Sequence, residues 1–352
     1  MIRRNISILE TTKSSLKDFN YDDFVFGVQP TDHLFLSAFK NKKWQNHRIE
    51  PFRNLSLSPN TLCLHYGQTV FEGMKAFRQE NGAIHIFRPD RHHSRLNKSL
   101  DRMSMPQIPK DLFMAAIEEL VRLDQQWIPR NKDISLYIRP FVIATEPRLG
   151  VKIADEYLFC ITCSPMGLYY PKPVQVKIET RFIRAAEGGV GYTKCGGNYG
   201  ASFYPTQKAK DEGFDQIIWT DATTKKYLEE AGTMNIMAVI NNKLVTPPLS
   251  NTILDGVTRD SILQIAKDLK IETEIRRIPY EELRSEMKNG NKVELFGVGT
   301  AAVISPISRI SIEAEDYFPY IEKDAIMFQL KQQLEKIRKG NIPDTHKWNH
   351  FI

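Results

Sequence analysis

Residues 188–202 have the sequence GGVGYTKCGGNYGAS, in which six glycines surround Lys194 and two tyrosines. Apolar residues do not recur in this stretch at the spacing of a helix or a strand. Glycine loses more conformational freedom on folding than any other residue, so this cluster favours a place where another group approaches the backbone closely. A solvated lysine in a flexible surface loop is the alternative interpretation. A P-loop is excluded, because Thr193 precedes Lys194 and Cys195 follows it.

A second small-residue segment, FGVGTAAVISP at 296–306, contains the G-x-G-x-x-A spacing of dinucleotide-binding proteins. That fingerprint opens a helix, but Pro306 follows four residues after Ala302, and the intervening Val303 and Ile304 are apolar and β-branched. What remains is a turn of backbone N–H groups beside Thr300, which suits an anion such as a phosphate or a carboxylate. A tight turn between two strands is the alternative.

A third segment, GVTRDSILQIA at 256–266, predicts the start of a helix over about 258–270 with Thr258 as its N-cap. The N–H groups and the dipole of a helix start attract negative charge. A capped helix without a ligand is the alternative. The apolar residues at helical spacing predict one buried stripe, formed by Ile262, Ile265, Ala266 and Leu269.

The fourth segment, LEEAGTMNI, places Glu229 and Glu230 at the end of a strand-like run just before Gly232. An acidic pair at such a position is usually solvated. Together with the other three segments, however, it completes a set of one nucleophilic lysine, two phosphate-sized backbone turns and a carboxylate. A pyridoxal-phosphate enzyme needs this set.

No metal site is predicted. The eight histidines show no HExxH or other ligand spacing, and His92 and His93 would face different sides of a helix as surface or local packing residues. Cys160 and Cys163 lie in an apolar strand-like run, where residues three apart face opposite sides. With only four cysteines, a reduced, cytoplasmic protein is expected.

Composition excludes several classes of protein. The 352 residues are 41% hydrophobic and 26% charged, which is typical of a globular chain with two domains. The 48 basic and 42 acidic residues are interspersed, so the net charge of +6 does not indicate a nucleic-acid partner. The apolar runs are shorter than the ~20 residues that a membrane span requires. The N-terminus lacks the features of a secretion or import signal.

The chain has an α/β pattern with a domain boundary near its middle. Short extended runs alternate with helices, such as the amphipathic DLFMAAIEELVRL. The two prolines of YYPKPVQV predict a stiff connector, so we predict a domain over 1–170, a linker over 171–180 and a second domain over 181–352. A further helix is expected over about 322–339, with Gly340 as its end.

Seven segments, in this order along the chain, resemble the branched-chain aminotransferases, which are fold-type IV pyridoxal-phosphate enzymes. They are LSLSPNTLCLHYGQTVFEGMKAF, FRPDRHHSRL, LYIRPFVIATEPRLGV, GGVGYTKCGGNYG, EAGTMNI, TPPLSNTILDGVTRD and FGVGTAAV. The resemblance extends from about Phe26 to Trp348. It implies a smaller N-terminal α/β domain and a larger C-terminal pseudo-barrel domain with the active site between them.

The resemblance also implies roles for individual residues toward pyridoxal 5'-phosphate. Lys194 is expected to form the Schiff base. Glu230, rather than Glu229, is expected to contact the pyridine nitrogen, and Tyr199 is expected to hydrogen-bond to the phenolic oxygen. The residues expected to contact or lie near the phosphate are Arg95, Val257, Thr258, Thr300 and Thr233.

The implied reaction is transamination of L-leucine, L-isoleucine and L-valine with 2-oxoglutarate. Arg139 would bind the distal carboxylate of glutamate, and the backbone N–H groups of Thr300 and Ala301 would bind the α-carboxylate. The expected apolar wall consists of Phe71, Tyr137, Tyr169, Tyr66 and Val151. In the family, the counterparts of the last two come from a neighbouring subunit, so a homodimer or a higher oligomer is expected.

Other interpretations remain open. They are a D-amino-acid aminotransferase, an aminodeoxychorismate lyase and, from a different class, a non-catalytic basic binding protein. Two departures from the family stand out. Ala302 and Ser305 occupy the positions of a redox CxxC found in mammalian relatives, so redox regulation through that motif is not expected. Pro205 falls in the helix expected after Tyr199, where it is predicted to bend that helix.

Overall fold

The computed structural model describes residues 5–130 and 133–352. The chain forms two compact units. Unit 1 comprises the described residues up to Tyr169 together with Lys194–Gly197 and Arg338–Ile352, and unit 2 comprises Tyr170–Thr193 and Asn198–Ile337. Most of the predicted linker is a strand of unit 2, Val174–Glu179. The division into folding domains stays a proposal.

Unit 1 contains one mixed sheet and three described helices. Its strands run in the order β1-β3-β2-β8-β7-β5-β6-β18, with β4 also paired to β7. These strands are β1 (Ser7–Ile8), β2 (His33–Lys40), β3 (Lys43–Pro51), β4 (Thr69–Phe71), β5 (Met74–Arg78), β6 (Ile84–Phe87), β7 (Ser135–Ala144), β8 (Tyr157–Met166) and β18 (Asn349–Phe351). The helices are α1 (Leu62–Tyr66), α2 (Pro89–Arg102) and α3 (Lys110–Leu123).

The helix α3 packs its apolar face on β2 and β8. Phe113, Ala116, Ile117 and Leu120 of this face are fully buried, which confirms the predicted amphipathic helix. Cys160 and Cys163 lie on β8 as buried free thiols, so their strand assignment is confirmed. Among the described residues, no group of three His, Cys, Asp or Glu side chains could hold a metal ion.

Unit 2 is built on a closed ring of six strands, which is the predicted pseudo-barrel. The ring order is β11-β10-β9-β16-β15-β12, and β11 pairs with β12 to close it. The strands of unit 2 are β9 (Val174–Glu179), β10 (Gln216–Thr220), β11 (Leu228–Ala231), β12 (Met234–Ile240), β13 (Lys243–Thr246), β14 (Thr273–Ile275), β15 (Val293–Gly299), β16 (Val303–Ile312) and β17 (Glu315–Tyr317). Every residue of β12 is buried, as expected for a strand covered on both faces.

The helices of unit 2 are α5 (Phe203–Asp211), α6 (Val257–Asp268) and α7 (Tyr280–Lys288). Two more, α4 (Gly197–Gly200) and α8 (Ile326–Lys339), include residues of both units. No helix in the described part of the chain is long and apolar enough to cross a membrane.

Two details of the prediction for α6 are wrong. Gly256 is the N-cap, and Thr258 lies inside the first turn as a buried residue. The helix also ends at Asp268, so Leu269 is its C-cap and is 40% exposed, whereas Ile262, Ile265 and Ala266 are buried as predicted. Leu269 leaves the buried stripe because the chain turns away at the helix end.

The predicted start of α8 is also wrong, although its end is confirmed. The helix begins at Ile326 rather than near 322 because the Glu294 carboxylate of β15 accepts the N–H groups of Ile326 and Met327 at 2.7 and 2.8 Å. Such a cap is distant in sequence and leaves no local signal. Gly340, with φ +74°, ends the helix as predicted.

Pro205 does not break the helix that contains it. It is the third residue of α5, and the first turn of a helix has N–H groups without intrahelical partners. The missing N–H of Pro205 therefore costs no helical hydrogen bond, so the physical reason for the predicted bend does not apply at this position.

Candidate active site

Lys194 lies in unit 1 against strand β4. Its carbonyl accepts the Phe71 N–H at 3.0 Å, and its own N–H donates to Ser99 Oγ at 3.0 Å. Gly196 donates to the Thr69 carbonyl at 3.1 Å. A Cβ at Gly196 would lie 2.4 Å from Thr69 Oγ1, so only glycine allows this approach. The Lys194 ammonium is 4.9 Å from the centroid of the Phe71 ring.

The glycine-rich segment before Lys194 is fixed within unit 2. A Cβ at Gly191 would lie 2.4 Å from Ala185 Cβ and 2.9 Å from Thr252 Cα. The Asn198 amide donates to the carbonyls of Val190 and Thr193, both at 2.9 Å. The segment is therefore held by close packing and hydrogen bonds, which explains its glycines better than an unattached surface loop does.

Phe71 is the centre of a second set of predicted residues in unit 1. The Arg139 guanidinium lies 4.9 Å from the Phe71 ring centroid and 5.2 Å from that of Tyr137, and its Nη2 donates to the Tyr137 hydroxyl at 3.0 Å. Tyr137 and Arg139 are alternate residues of β7 and so face the same side. A Cβ at Gly73 would lie 1.8 Å from the Tyr137 hydroxyl oxygen. Unit 1 thus brings together an arginine, a lysine and an aromatic wall.

Tyr169 joins this set through Phe26, a residue that the sequence did not single out. The Phe26 ring is 4.9 Å from Tyr137 and 5.9 Å from Tyr169, centroid to centroid. Burial raises the pKa of Tyr169, and Tyr137 raises it further, whereas Arg139 lowers it.

Arg95 lies on α2 and is held by Glu72, a residue missed in the sequence. Glu72 Oε1 accepts from Arg95 Nε at 2.6 Å, and Oε2 accepts from Arg95 Nη2 at 2.9 Å and pairs with His92 Nδ1 at 2.8 Å. Glu72 is fully buried. Burial acts to raise the pKa of its carboxyl, but the Arg95 charge and the hydrogen bonds from His92 and Arg95 hold it well below its usual value.

The two adjacent histidines face different sides of α2, as predicted. His93 Nε2 pairs with the Ile108 carbonyl at 2.8 Å, away from Glu72. His92 is 1% exposed, so a surface position for it is wrong. Burial lowers the pKa of His92 more than its hydrogen bond to Glu72 raises it. The neutral ring therefore donates from Nδ1 to the carboxylate.

Tyr66 and Val151 are exposed by 43% and 79%. The Tyr66 hydroxyl donates to the Leu149 carbonyl, which ties α1 to the loop after β7. Leu64, Leu149 and Ile153 on the same segments are exposed by 61%, 59% and 60%. This exposed apolar patch includes both residues that were predicted to act from a neighbouring subunit.

In unit 2, the adjacent residues Glu229 and Glu230 have different partners. Glu230 is 3% exposed, accepts the Leu254 N–H at 2.7 Å and lies 3.3 Å from Arg184 Nε. Glu229 accepts the Thr252 hydroxyl at 2.5 Å. The pairing of β11 with β10 shifts register here, leaving Glu229 as the extra residue of a β-bulge. Bulges re-aim side chains in this way.

Two turns of unit 2 carry the predicted residues Thr233, Thr300 and Ala301. Thr233 lies in the hairpin between β11 and β12, and Thr300 and Ala301 lie in the loop between β15 and β16. Because Asn235 at the start of β12 pairs with Val298 at the end of β15, both turns lie at the same end of these two strands. Val303 ends the second turn at φ +61°, a left-handed conformation rare for a β-branched residue.

Val257 and Thr258 begin α6, which has no side-chain cap, and both are buried. A Cβ at Gly256 would lie 1.8 Å from Asn235 Oδ1, so this helix start packs tightly on β12. Tyr199 lies on α4, half-buried. The predicted site residues are thus distributed over both units. Within each unit, several of them lie on neighbouring strands, turns or helices.

Comparison with known proteins identifies the class. A sequence profile of the aminotransferase class IV family matches residues 69–310, so the chain belongs to the aminotransferase class IV family. Branched-chain-amino-acid transaminase 1 of Bacillus subtilis (strain 168) is 45% identical over 332 residues, with 92% of each chain covered. At this identity the chain is placed among the branched-chain-amino-acid aminotransferases, and the resemblance predicted from the sequence is confirmed.

Solved structures confirm the predicted fold-type IV architecture. The branched-chain aminotransferase of Escherichia coli superimposes with a TM-score of 0.75 at 24% identity, over 91% of this chain and 98% of that one. The enzyme of Thermobaculum terrenum in its PLP form gives a TM-score of 0.75 at 22% identity over the same shares.

Proposed function

We propose that this aminotransferase uses pyridoxal 5'-phosphate, bound covalently through Lys194, to transfer amino groups from L-leucine, L-isoleucine and L-valine to 2-oxoglutarate. One observation carries the proposal: the Lys194 ammonium and the Arg139 guanidinium both lie 4.9 Å from the Phe71 ring centroid. A nucleophilic amine and a carboxylate-binding group thus share one apolar wall. Aliphatic and acidic substrates need this combination.

The residues present fit the cofactor. The α6 helix begins without a side-chain cap, which suits a phosphate group, and Gly256 allows its close packing. Glu230 is a buried carboxylate on β11 that suits a protonated ring nitrogen. Besides Lys194, the residues proposed to hold the cofactor are Arg95, Tyr199, Glu230, Thr233, Val257, Thr258 and Thr300.

When bound, the cofactor supplies an electron sink that allows the substrate Cα to lose a proton. Lys194 would accept that proton on its Nζ and hold it close to the reacting atoms for its return, for which the amine must start neutral. Glu230 favours the protonated ring by its negative charge. Glu72 keeps the Arg95 guanidinium in a fixed orientation through two hydrogen bonds.

The substrate side chain is proposed to lie against Phe71, Tyr137 and Tyr169. An aliphatic chain would contact the rings, and the distal carboxylate of glutamate would pair with Arg139 and the tyrosine hydroxyls. The Thr300 and Ala301 N–H groups are assigned to the α-carboxylate. Both half-reactions would therefore use one pocket with different contacts.

A homodimer is proposed as well, and the exposure of the apolar residues Tyr66, Leu149, Val151 and Ile153 supports it. Contiguous apolar residues at a surface mark association sites, and these include two residues assigned to the substrate wall. A cytoplasmic location is proposed with it. Sedimentation of the purified chain should show a dimer or a larger assembly, and a monomer would contradict the proposed contribution of Tyr66 and Val151.

The deciding experiment is reduction of the cofactor-loaded protein with borohydride, followed by digestion and mass mapping. The pyridoxyl mass is expected on Lys194, and a label on any other lysine would refute the assignment. Turnover of L-leucine with 2-oxoglutarate, with and without added cofactor, tests the reaction. Activity on D-alanine or on aminodeoxychorismate instead would identify another fold-type IV enzyme.

A further inference from the structure

Unit 2 contains a cavity of about 310 Å³ that none of the proposed catalytic steps uses. Its wall includes Glu187, Asp221, Tyr227, Glu229 and Arg277. The volume is at the lower end of the range of small-molecule sites. Prolines, aliphatic side chains and the hydroxyl-bearing residues Thr223, Thr224, Ser250 and Thr252 complete the wall, so a ligand would meet apolar surface next to several charges and hydroxyls.

Carboxylates dominate the charge of this cavity. Among the described residues that line it, Glu187, Asp221 and Glu229 are acidic and Arg277 alone is basic. Although burial acts to raise it, backbone hydrogen bonds from Tyr227 and Thr224 lower the pKa of Asp221 to about 2, so this carboxylate is ionised at neutral pH. Arg277 is drawn toward the Tyr227 ring, 5.1 Å from its centroid.

Glu229 is the carboxylate of the wall with an unsatisfied buried oxygen. It is 7% exposed, and its Oε1 accepts the Thr252 hydroxyl at 2.5 Å. Its Oε2 is buried and has no hydrogen-bond partner among the described residues. Burying a carboxylate oxygen without a donor is unfavourable, and an N–H donor would remove that cost. Burial raises the pKa of the Glu229 carboxyl despite the Thr252 bond and the Arg184 charge.

From the orphaned Glu229 oxygen and the excess of carboxylates, we propose that this cavity binds a small organic cation that donates N–H hydrogen bonds to Glu229 and packs its apolar body on the wall. A metal ion is disfavoured, because no described group of three His, Cys, Asp or Glu side chains could hold one. An anion would meet three carboxylates and one guanidinium. The proposal is independent of the aminotransferase reaction.

Glu230, the neighbour assigned to the cofactor, does not line the cavity, although its ion-pair partner Arg184 also donates to the carbonyl of the wall residue Thr252. Glu230 accepts from Leu254 and pairs with Arg184, and neither residue lines the cavity. The β-bulge at Glu229 gives the two adjacent carboxylates separate partners. A ligand of the cavity therefore need not compete with substrate.

The test uses the cofactor-loaded full chain and benzamidinium chloride, a planar N–H-donating cation without a carboxylate. Saturation-transfer NMR and a titration should show saturable binding that 2-oxoglutarate does not displace. Benzoate, the anion of similar shape, should not bind. Glu229→Gln should weaken benzamidinium binding by about tenfold or more, because it removes the charge from the hydrogen bond. Glu212→Gln, which alters a surface carboxylate paired with Lys177, should leave it unchanged.

Thr223→Trp provides a second variant if Glu229→Gln fails to fold, because Thr223 is an exposed residue of the cavity wall. The indole should block the cavity and abolish binding while the melting temperature stays near that of the parent. Absence of saturable binding to the parent, equal binding of benzoate, displacement by 2-oxoglutarate, or undiminished binding in both variants would each overturn the proposal.

Discussion

Arg184 Nε lies 3.3 Å from Glu230 Oε2, in a buried ion pair within unit 2. The same guanidinium donates from Nη2 to the Gly191 carbonyl at 2.8 Å and to the Thr252 carbonyl. Gly191 belongs to the glycine-rich segment that leads to Lys194. Arg184 therefore orients the carboxylate assigned to the ring nitrogen and fixes the segment that carries the lysine.

We predict that Arg184→Met weakens cofactor binding by about tenfold to a hundredfold, since the variant loses the ion pair with Glu230 and the hydrogen bonds to two carbonyls, and a hydrogen bond from a charged donor contributes roughly 1.5–3 kcal/mol. Without the guanidinium, Glu230 loses its charged partner and keeps the Leu254 N–H, and the Gly191 carbonyl loses the donor from Arg184. Titration of the apo-protein with pyridoxal phosphate measures the effect. Arg181→Met, at an exposed arginine of the same stretch, is the control and should bind the cofactor normally. Equal affinities in the two variants would contradict the role of Arg184.

Glu72→Gln should lower the free energy of unfolding at pH 7 by about 3 kcal/mol, because it leaves Arg95 buried without its carboxylate. The pKa of Glu72 is lower in the folded state than its unfolded value of roughly 4.3, so its charge stabilises the fold above that pH and this contribution is lost on acidification. The difference between parent and variant should therefore shrink below about pH 4.

Denaturant unfolding between neutral pH and about pH 3 checks this prediction. Glu119→Gln removes a half-exposed ion pair to Arg122 and should cost under about 1 kcal/mol at every pH. Parallel stability curves for the parent and Glu72→Gln would show that the carboxylate is not ionised in the fold.

Reactive residues that stand in recognisable sequence motifs could be predicted from the sequence. The residues that pack against them or hydrogen-bond to them could not. The resemblance assigns Lys194, Arg139 and Tyr137 to one site, and the structure places Lys194 and Arg139 beside the Phe71 ring and Tyr137 beside Arg139. Phe26 and Glu72 were missed because they reach the site through long-range packing. An acidic residue between Phe71 and Gly73 carries no local signal of burial.

The errors in α6 and α8 have a common physical cause. Helix starts were assigned from local capping residues, but Gly256 packs against Asn235 and the start of α8 is capped by Glu294 of a distant strand. Pro205 was expected to bend its helix because the exact first turn of α5 could not be located from the sequence. Tertiary contacts are therefore present at the starts of α6 and α8.

Gly73→Ala should raise the KM for leucine by about tenfold and destabilise the protein by roughly 1–3 kcal/mol. The new Cβ would lie 1.8 Å from the Tyr137 hydroxyl oxygen, so the ring must leave its position beside Arg139. Gly200→Ala is the matched control, because its Cβ would meet nothing within 4 Å. Steady-state kinetics and thermal melting measure both effects. Unchanged kinetics in Gly73→Ala would show that Tyr137 does not line the substrate pocket.

Arg139→Ala should reduce kcat/KM for glutamate and 2-oxoglutarate by about a hundredfold or more, and for leucine by far less. Only the acidic substrates leave a charge without a partner when the guanidinium is removed. Tyr137→Phe, which removes a single hydroxyl that accepts from Arg139, should give a smaller change in the same direction. Equal losses for leucine and glutamate would refute the assignment of Arg139 to the distal carboxylate.

Val303→Gly should stabilise the protein by about 1 kcal/mol relative to Val303→Ala. At φ +61° the backbone of any residue with a Cβ is strained. Glycine has no Cβ and relieves the strain, whereas alanine has a shorter side chain but retains the Cβ and the strain. The relief should have a functional cost, because Val303 closes the turn whose Thr300 and Ala301 N–H groups are assigned to anions. We expect the KM for leucine and the KM for glutamate to be severalfold higher in Val303→Gly than in Val303→Ala. Urea unfolding and steady-state kinetics of the two variants check this, and an alanine variant as stable as the glycine variant would show that the turn is unstrained.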